Sequence, residues 1–168
     1  FFPWTAKAEA LAAISPDGIF LSNGPGNPNQ MGETVTQIKK LMEIYPIFGI
    51  CLGHQLIGLA NNCTVEKLKF GHHAANHPVS YKYATEQNVS TVEVTSQNHN
   101  YAISEVNENF EITHQHLNDG TISGIRHLSK PIFSVQYHPE SNPGPHDSRY
   151  LFRQFVELME QFRSKKSL

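Results

Sequence analysis

The sequence predicts a three-layer α/β sandwich whose sheet is mainly parallel, with an antiparallel extension. Three observations carry that expectation. Residues 46–60, Pro-Ile-Phe-Gly-Ile-Cys-Leu-Gly-His-Gln-Leu-Ile-Gly-Leu-Ala, read as a buried strand, a sharp turn and a buried helix. Residues 19–60 as a whole run strand, helix, strand, helix, the order of a parallel βαβα unit. After residue 63 the pattern changes to short strands with little helix, as an antiparallel section has.

Each element has its own signal. Phe1-Phe2-Pro3-Trp4 read as the tail of a strand, followed by a helix-like segment from Thr5 to Ile14 with Thr5 as its N-cap. Ser15-Pro16-Asp17-Gly18 is a turn by composition, and Ile19-Phe20-Leu21 is a short buried strand ending in the glycine-rich loop Ser22-Asn23-Gly24-Pro25-Gly26-Asn27-Pro28. In residues 31–45, Val35, Ile38, Leu41, Met42 and Tyr45 share one face and Lys39, Lys40 and Glu43 lie away from it, which predicts an amphipathic helix. The later strands are expected at Val65–Phe70, Val79–Tyr83, Thr91–Ser96, Glu111–Leu117, Thr121–Ile125 and Pro131–Gln136. From Ser148 onward, Leu151, Phe155, Leu158, Met159 and Phe162 mark a final amphipathic helix that should pack on the sheet, with residues 165–168 frayed.

Bulk properties narrow the function classes. A chain of 168 residues suits one domain, residues 1–168, with a real core. Net charge is −2 and no basic cluster exceeds Lys165-Lys166, so nothing marks a nucleic-acid surface. Two cysteines, Cys51 and Cys63, make no disulfide framework, which fits a reducing cytosol and a cytoplasmic location. No apolar run approaches the roughly 20 residues of a spanning helix, so no membrane role is expected.

Chemistry concentrates at two places. Cys51 lies between Gly49 and Gly53 on the strand-to-helix turn, where neighbouring backbone must pass close by and lack of Cβ is needed. At the start of the following helix, free N–H groups and the positive dipole end favour a thiolate and a developing oxyanion. The second place is Gln136-Tyr137-His138-Pro139-Glu140, after the apolar run 131–135. His138 and Glu140, two residues apart across a proline, should project to one side, so that the carboxylate holds the imidazole and leaves its other nitrogen for a thiol. Cys51, His138 and Glu140 form a candidate triad. The loop 22–28 sits where open α/β sheets place ligands, but it lacks the Lys-Ser/Thr of a phosphate-binding loop. Gln97-Asn98-His99-Asn100-Tyr101 closes a strand with amides and an aromatic suited to an amino acid's carboxylate and ammonium. His72, His73 and His77 invite a metal reading, but no cysteine partner or helical i, i+4 pair accompanies them. No metal site is expected there, and the segment reads as a polar loop over the site.

Phe48-Gly49-Ile50-Cys51-Leu52-Gly53-His54-Gln55 and His138-Pro139-Glu140 resemble the two signature motifs of class I glutamine amidotransferases. Residues 69–79 and 141–147 are similar to segments of the small, glutamine-hydrolysing subunit of carbamoyl phosphate synthetase. The resemblance implies Cys51 as nucleophile, His138 as proton shuttle and Glu140 as its orienting partner. It implies oxyanion donors at the N–H groups of Gly24 and Leu52, and glutamine contacts from Gly26, Gln55, Asn98, Asn100 and Tyr101. One departure is Asn100, where the family motif has glycine; its side chain could crowd the pocket, although asparagine tolerates left-handed backbone. The resemblance further implies a strand and helix before residue 1 and no cofactor in this chain. It implies a partner, the large synthetase subunit, where ATP, Mg and bicarbonate are used. Alternatives stay open: amidotransfer to a nucleotide or chorismate, a stand-alone cysteine hydrolase such as a γ-glutamyl hydrolase or dienelactone-hydrolase-like esterase, or a non-catalytic regulatory domain.

Overall fold

A computed structural model describes residues 1–82, 90–141 and 143–166. The apolar tripeptide at 19–21 and the apolar run at 47–50 become β1 (Ile19–Leu21) and β2 (Ile47–Ile50), joined through α2 (Gly32–Met42). α3 (Leu52–Ala60) follows β2 with only Cys51 between them. β3 (Thr64–Lys82) and β4 (Ser90–Glu105) form a long antiparallel pair, then come β5 (Phe110–His116), β6 (Ile122–His127), β7 (Ile132–Val135) and α4 (Tyr150–Lys166). A short helix, α1 (Ala8–Ala12), precedes them.

Seven strands form one sheet in the order β1-β2-β7-β6-β5-β3-β4. β1, β2 and β7 are parallel, with Ile19 paired to Ile47 and Ile47 to Ile132; every other pairing is antiparallel. Alternation along β2 sends Ile47 to one face and Phe48 to the other. Ile47 joins the layer under α1, α2 and α3 with Ile38, Leu41, Leu56 and Ile57, whereas Phe48 joins Phe133, Leu151 and Phe155 under α4. Burying both faces of β2 explains its unbroken apolar run. At about 25 cal/mol per Å2, each such aliphatic or aromatic side chain contributes ~1.5–3 kcal/mol.

Several expectations change. Residues 1–4 form no strand: Trp4 turns back and its carbonyl accepts from Thr34 Oγ1 at 3.2 Å. α1 is shorter than 5–14, with Lys7 rather than Thr5 at its N-cap and no side-chain cap, and a positive φ of 48° at Ser15 lies beyond its end. β1 is a sheet edge, so Phe20 stays 46% exposed. Val65–Phe70 and Val79 belong to one strand, β3, with irregularities near Gly71 and between Ala74 and His77, so residues 69–79 are sheet and not a covering loop. Thr91–Ser96 and Gln97–Tyr101 likewise fuse into β4. Expected strand 131–136 does not belong only to the antiparallel section; as β7 it pairs parallel to β2 and antiparallel to β6. Lys165 and Lys166 are helical, and Lys166 Nζ lies over the rings of Phe162 and Tyr45 at 4.5 and 5.2 Å. Tyr83, Asn142, Ser167 and Leu168 lie outside the described residues. Among the described residues, no helix is long and apolar enough to cross a membrane.

Candidate active site

β2 enters its turn by a hydrogen bond from the Cys51 N–H to the Val135 carbonyl at 2.9 Å, and α3 starts when Gln55 N–H donates back to the Cys51 carbonyl at 3.2 Å. Between the two, Cys51 takes φ 52° and ψ −103°, outside the regions an L-residue prefers. The flanking glycines permit it. A Cβ on Gly53 would lie 2.3 Å from the Leu21 carbonyl oxygen, and one on Gly49 would lie 2.8 Å from the Gly53 backbone. No alanine fits at residue 53, so β1 can pass directly beneath the first turn of α3.

A cavity of about 370 Å3 opens at Cys51, near the lower end of the range for ligand sites. Asn23, Gly24, Pro25 and Gly26 form one wall, Asn98, His99, Asn100 and Tyr101 another, and Gln55 and His138 complete it. Elements remote in sequence thus meet because β1, β2 and β7 all end on the same side of the sheet. His138 is held at two points. Its N–H donates to the Ser96 carbonyl at 2.8 Å, its Nδ1–H donates to Glu140 Oε1 at 2.7 Å, and its Nε2 is buried without a hydrogen-bond partner. The Cys51 thiol lies within electrostatic reach of that ring, and together with Glu140 it pushes the imidazole up to about 9, against the opposing effect of burial. Burial would raise the Glu140 carboxyl, but the hydrogen bond from His138 and the residue's own backbone outweigh it and hold the group below its ordinary value.

Gln55 ties the helix to the opposite wall: Nε2 donates to the Tyr101 carbonyl at 2.7 Å and to Gln136 Oε1 at 3.1 Å. Behind it, His54 is fully buried and bonded through Nδ1 to Ser134 Oγ at 2.9 Å, and burial drives it down to about 3, so it is neutral. Leu52 is buried at the start of α3, and its side chain packs against Gly24 so closely that a Cβ there would approach to 2.9 Å.

The family model described as glutamine amidotransferase class-I matches residues 1–158. The chain belongs to the class I glutamine amidotransferases. A carbamoyl phosphate synthase small chain of Staphylococcus haemolyticus is 49% identical over 98% of this chain and 44% of its own length. One of Clostridium perfringens is 51% identical over 93% of this chain and 43% of its own length. A pyrimidine-specific small chain of Halalkalibacterium halodurans is 49% identical over 94% of this chain and 43% of its own length. The chain therefore spans less than half the length of these relatives. A Thermoplasma acidophilum protein described as belonging to GMP synthase has the same fold, with a TM-score of 0.83 over 99% of this chain and 83% of its own at 24% identity.

In this amidotransferase domain, Cys51, His138, Gly24, Gly26, Gln55, Asn98, Asn100 and Tyr101 share the cavity, and Glu140 joins through His138. Leu52 is adjacent to Cys51 without lining the cavity wall. Asn100 does not adopt the left-handed backbone that a substituted glycine would suggest; the positive φ, 68°, belongs to Gly71 on the facing strand. Sequence reasoning gives His99 no role of its own, yet it lines the cavity, with Nδ1 2.9 Å from the Tyr101 carbonyl oxygen. No sequence signal marks it, because His99 shares its buried face with Glu93, Thr95 and Gln97, polar residues that hydrophobic alternation would place outside.

The histidine cluster divides in two. His72 and His116 stack at 4.2 Å and 10°, and both reach the Asp119 carboxylate, at 2.8 and 3.1 Å. These three residues offer ligand atoms within 4.8 Å of one another. His77 adds a bond from the other side, Nδ1 to His116 Nε2 at 2.7 Å. His73 turns away toward the cavity rim, where it meets Asn98 and Asn100.

Proposed function

We propose that the chain is the glutamine-hydrolysing domain of a carbamoyl phosphate synthase small chain, acting in the cytoplasm. The observation that carries this reading is the convergence, in one cavity, of a strained elbow cysteine, a carboxylate-held histidine and a strand of amides. Cys51 Sγ, its proton already passed to His138 Nε2, attacks the side-chain amide carbon of glutamine and forms a C–S bond. Oxygen of the amide becomes the oxyanion, for which the N–H groups of Leu52 and Gly24 are the natural donors. His138 then returns the proton to the leaving nitrogen, the C–N bond breaks, and ammonia departs. Water attacks the thioester, giving its proton to His138; C–S cleavage releases glutamate and frees Cys51 Sγ. His138, raised to about 9, carries its proton at neutral pH, so the proton that the leaving nitrogen takes is already in place on Nε2.

Similarity of about half the residues to proteins named carbamoyl phosphate synthase small chain favours that pathway over nucleotide or chorismate amination. In this reading the ammonia passes to a large subunit, where ATP, Mg and bicarbonate are used, and this chain needs no cofactor of its own. The test joins the full-length protein to a candidate large subunit, with carbamoyl phosphate as the measured product. Glutamine should support synthesis, and Cys51→Ser should abolish it while free ammonia still serves. Synthesis of another aminated product with another partner would overturn the pathway and leave the glutaminase.

A further inference from the structure

Across the ladder from the cavity wall, one imidazole touches two pocket-lining amides. His73 pairs in register with Asn98. Its Nδ1 lies 2.8 Å from Asn98 Oδ1 and its Nε2 3.1 Å from Asn100 Oδ1. Asn98 and Asn100 are two apart on β4 and so share a face, and both line the cavity. The ring spans them at the edge of an irregularity between Lys67 and His72, where Gly71 holds φ 68°. A Cβ on Gly71 would come within 2.7 Å of Asn100 Oδ1 and of His73 Nε2, so the three-residue clasp closes over a position that only glycine fills.

An exposed asparagine turns freely, and its two ends are nearly the same size. With a ring nitrogen against one end of each amide, the other end of each is fixed. Both ring nitrogens face an amide oxygen; a ring with one N–H and one bare nitrogen donates to one oxygen and takes the NH2 of the other amide once that amide is turned end for end, so it holds the two in opposite senses. The cavity then meets one NH2 group and one carbonyl, the partners that a carboxylate and an ammonium on a single carbon require. We propose that His73 is a positioning residue for the amino-acid end of the substrate, acting through Asn98 and Asn100. The inference rests on glutamine being the substrate. It also gives Asn100 a purpose: its side chain is held at the rim by His73 and does not fill the pocket.

The test is steady-state glutaminase kinetics on the full-length protein. His73→Ala should raise the glutamine KM by about three- to tenfold, the size of one or two solvent-exposed hydrogen bonds, with kcat within about twofold. His73→Gln, which can keep one bond, should fall between. In an Asn100→Gly background His73→Ala should matter less than in the unaltered protein, because the clasp is already half undone. Unchanged KM in His73→Ala, or a fall in kcat alone, overturns the inference while the glutaminase stands. If the unaltered protein releases no ammonia from glutamine, the proposed function falls and this inference falls with it.

Discussion

A cysteine at φ 52° is held there by its surroundings, and the same surroundings decide what its neighbours do. His138 is the clearest case, since the two groups that raise its pKa are Cys51 and Glu140. Glu140→Gln removes the second while leaving the first, so the midpoint of His138 should drop from about 9 toward its ordinary 6.5. An NMR titration of the ring protons reads this directly; an unmoved midpoint would mean that Glu140 does not hold the ring. The sign for stability follows. The contribution of His138 is complete below pH 6.5 and is lost as pH rises through about 9. That of Glu140 is complete above 4.5 and is lost as pH falls through its lowered value. The cluster of Cys51, His138 and Glu140 was legible in the sequence because glycine spacing and His-Pro-Glu order each imply a backbone shape. The rim clasp was not, because it depends on which residues of β3 and β4 come into register.

At the scale of elements, the contact between β1 and α3 is the tightest near the site. Gly53→Ala places a Cβ 2.3 Å from a backbone carbonyl that cannot rotate aside. The expected cost is ~1–3 kcal/mol, read as a lower urea midpoint at unchanged slope in the full-length protein. An unshifted midpoint would show that α3 can slide and that the elbow is not pinned. Elements with a clean period, β2, α2, α3 and α4, were found where periodicity placed them. β4 shows why others were not. Along it Glu93, Thr95, Gln97 and His99 are buried while Val92 and Val94 are 54% and 40% exposed, which inverts the usual pattern. The buried polar side chains are satisfied by hydrogen bonds: Ser148 Oγ donates to Glu93 at 2.6 Å and Gln97 Nε2 to Thr95 Oγ1 at 3.1 Å. Hydrophobic alternation carries no information about a face built from hydrogen bonds.

For the whole molecule, the same polar interior predicts acid sensitivity. His54, His99 and His114 are each driven to about 3, chiefly by burial, so the folded chain refuses protons that the unfolded chain takes up below 6.5. Stability should therefore fall as pH drops from 6.5 toward 3, by up to about 1.4 kcal/mol per pH unit for each histidine. Urea midpoints that stay level from pH 7 to 4 would show that these rings are solvated. The sheet topology explains what else sequence reading missed: β7 returns beside β2, at the border between the parallel and antiparallel parts, after four antiparallel strands. That return brings His138 to Cys51, and no local pattern announces it. The central claim, that this junction makes Cys51 the nucleophile, is tested most directly by mixing the full-length protein with glutamine, quenching in acid and mapping the covalent adduct by peptide mass spectrometry. A glutamyl group on the peptide containing Cys51 is the predicted result; a glutamyl group on Cys63, or ammonia release with Cys51→Ser at the unaltered rate, would contradict it.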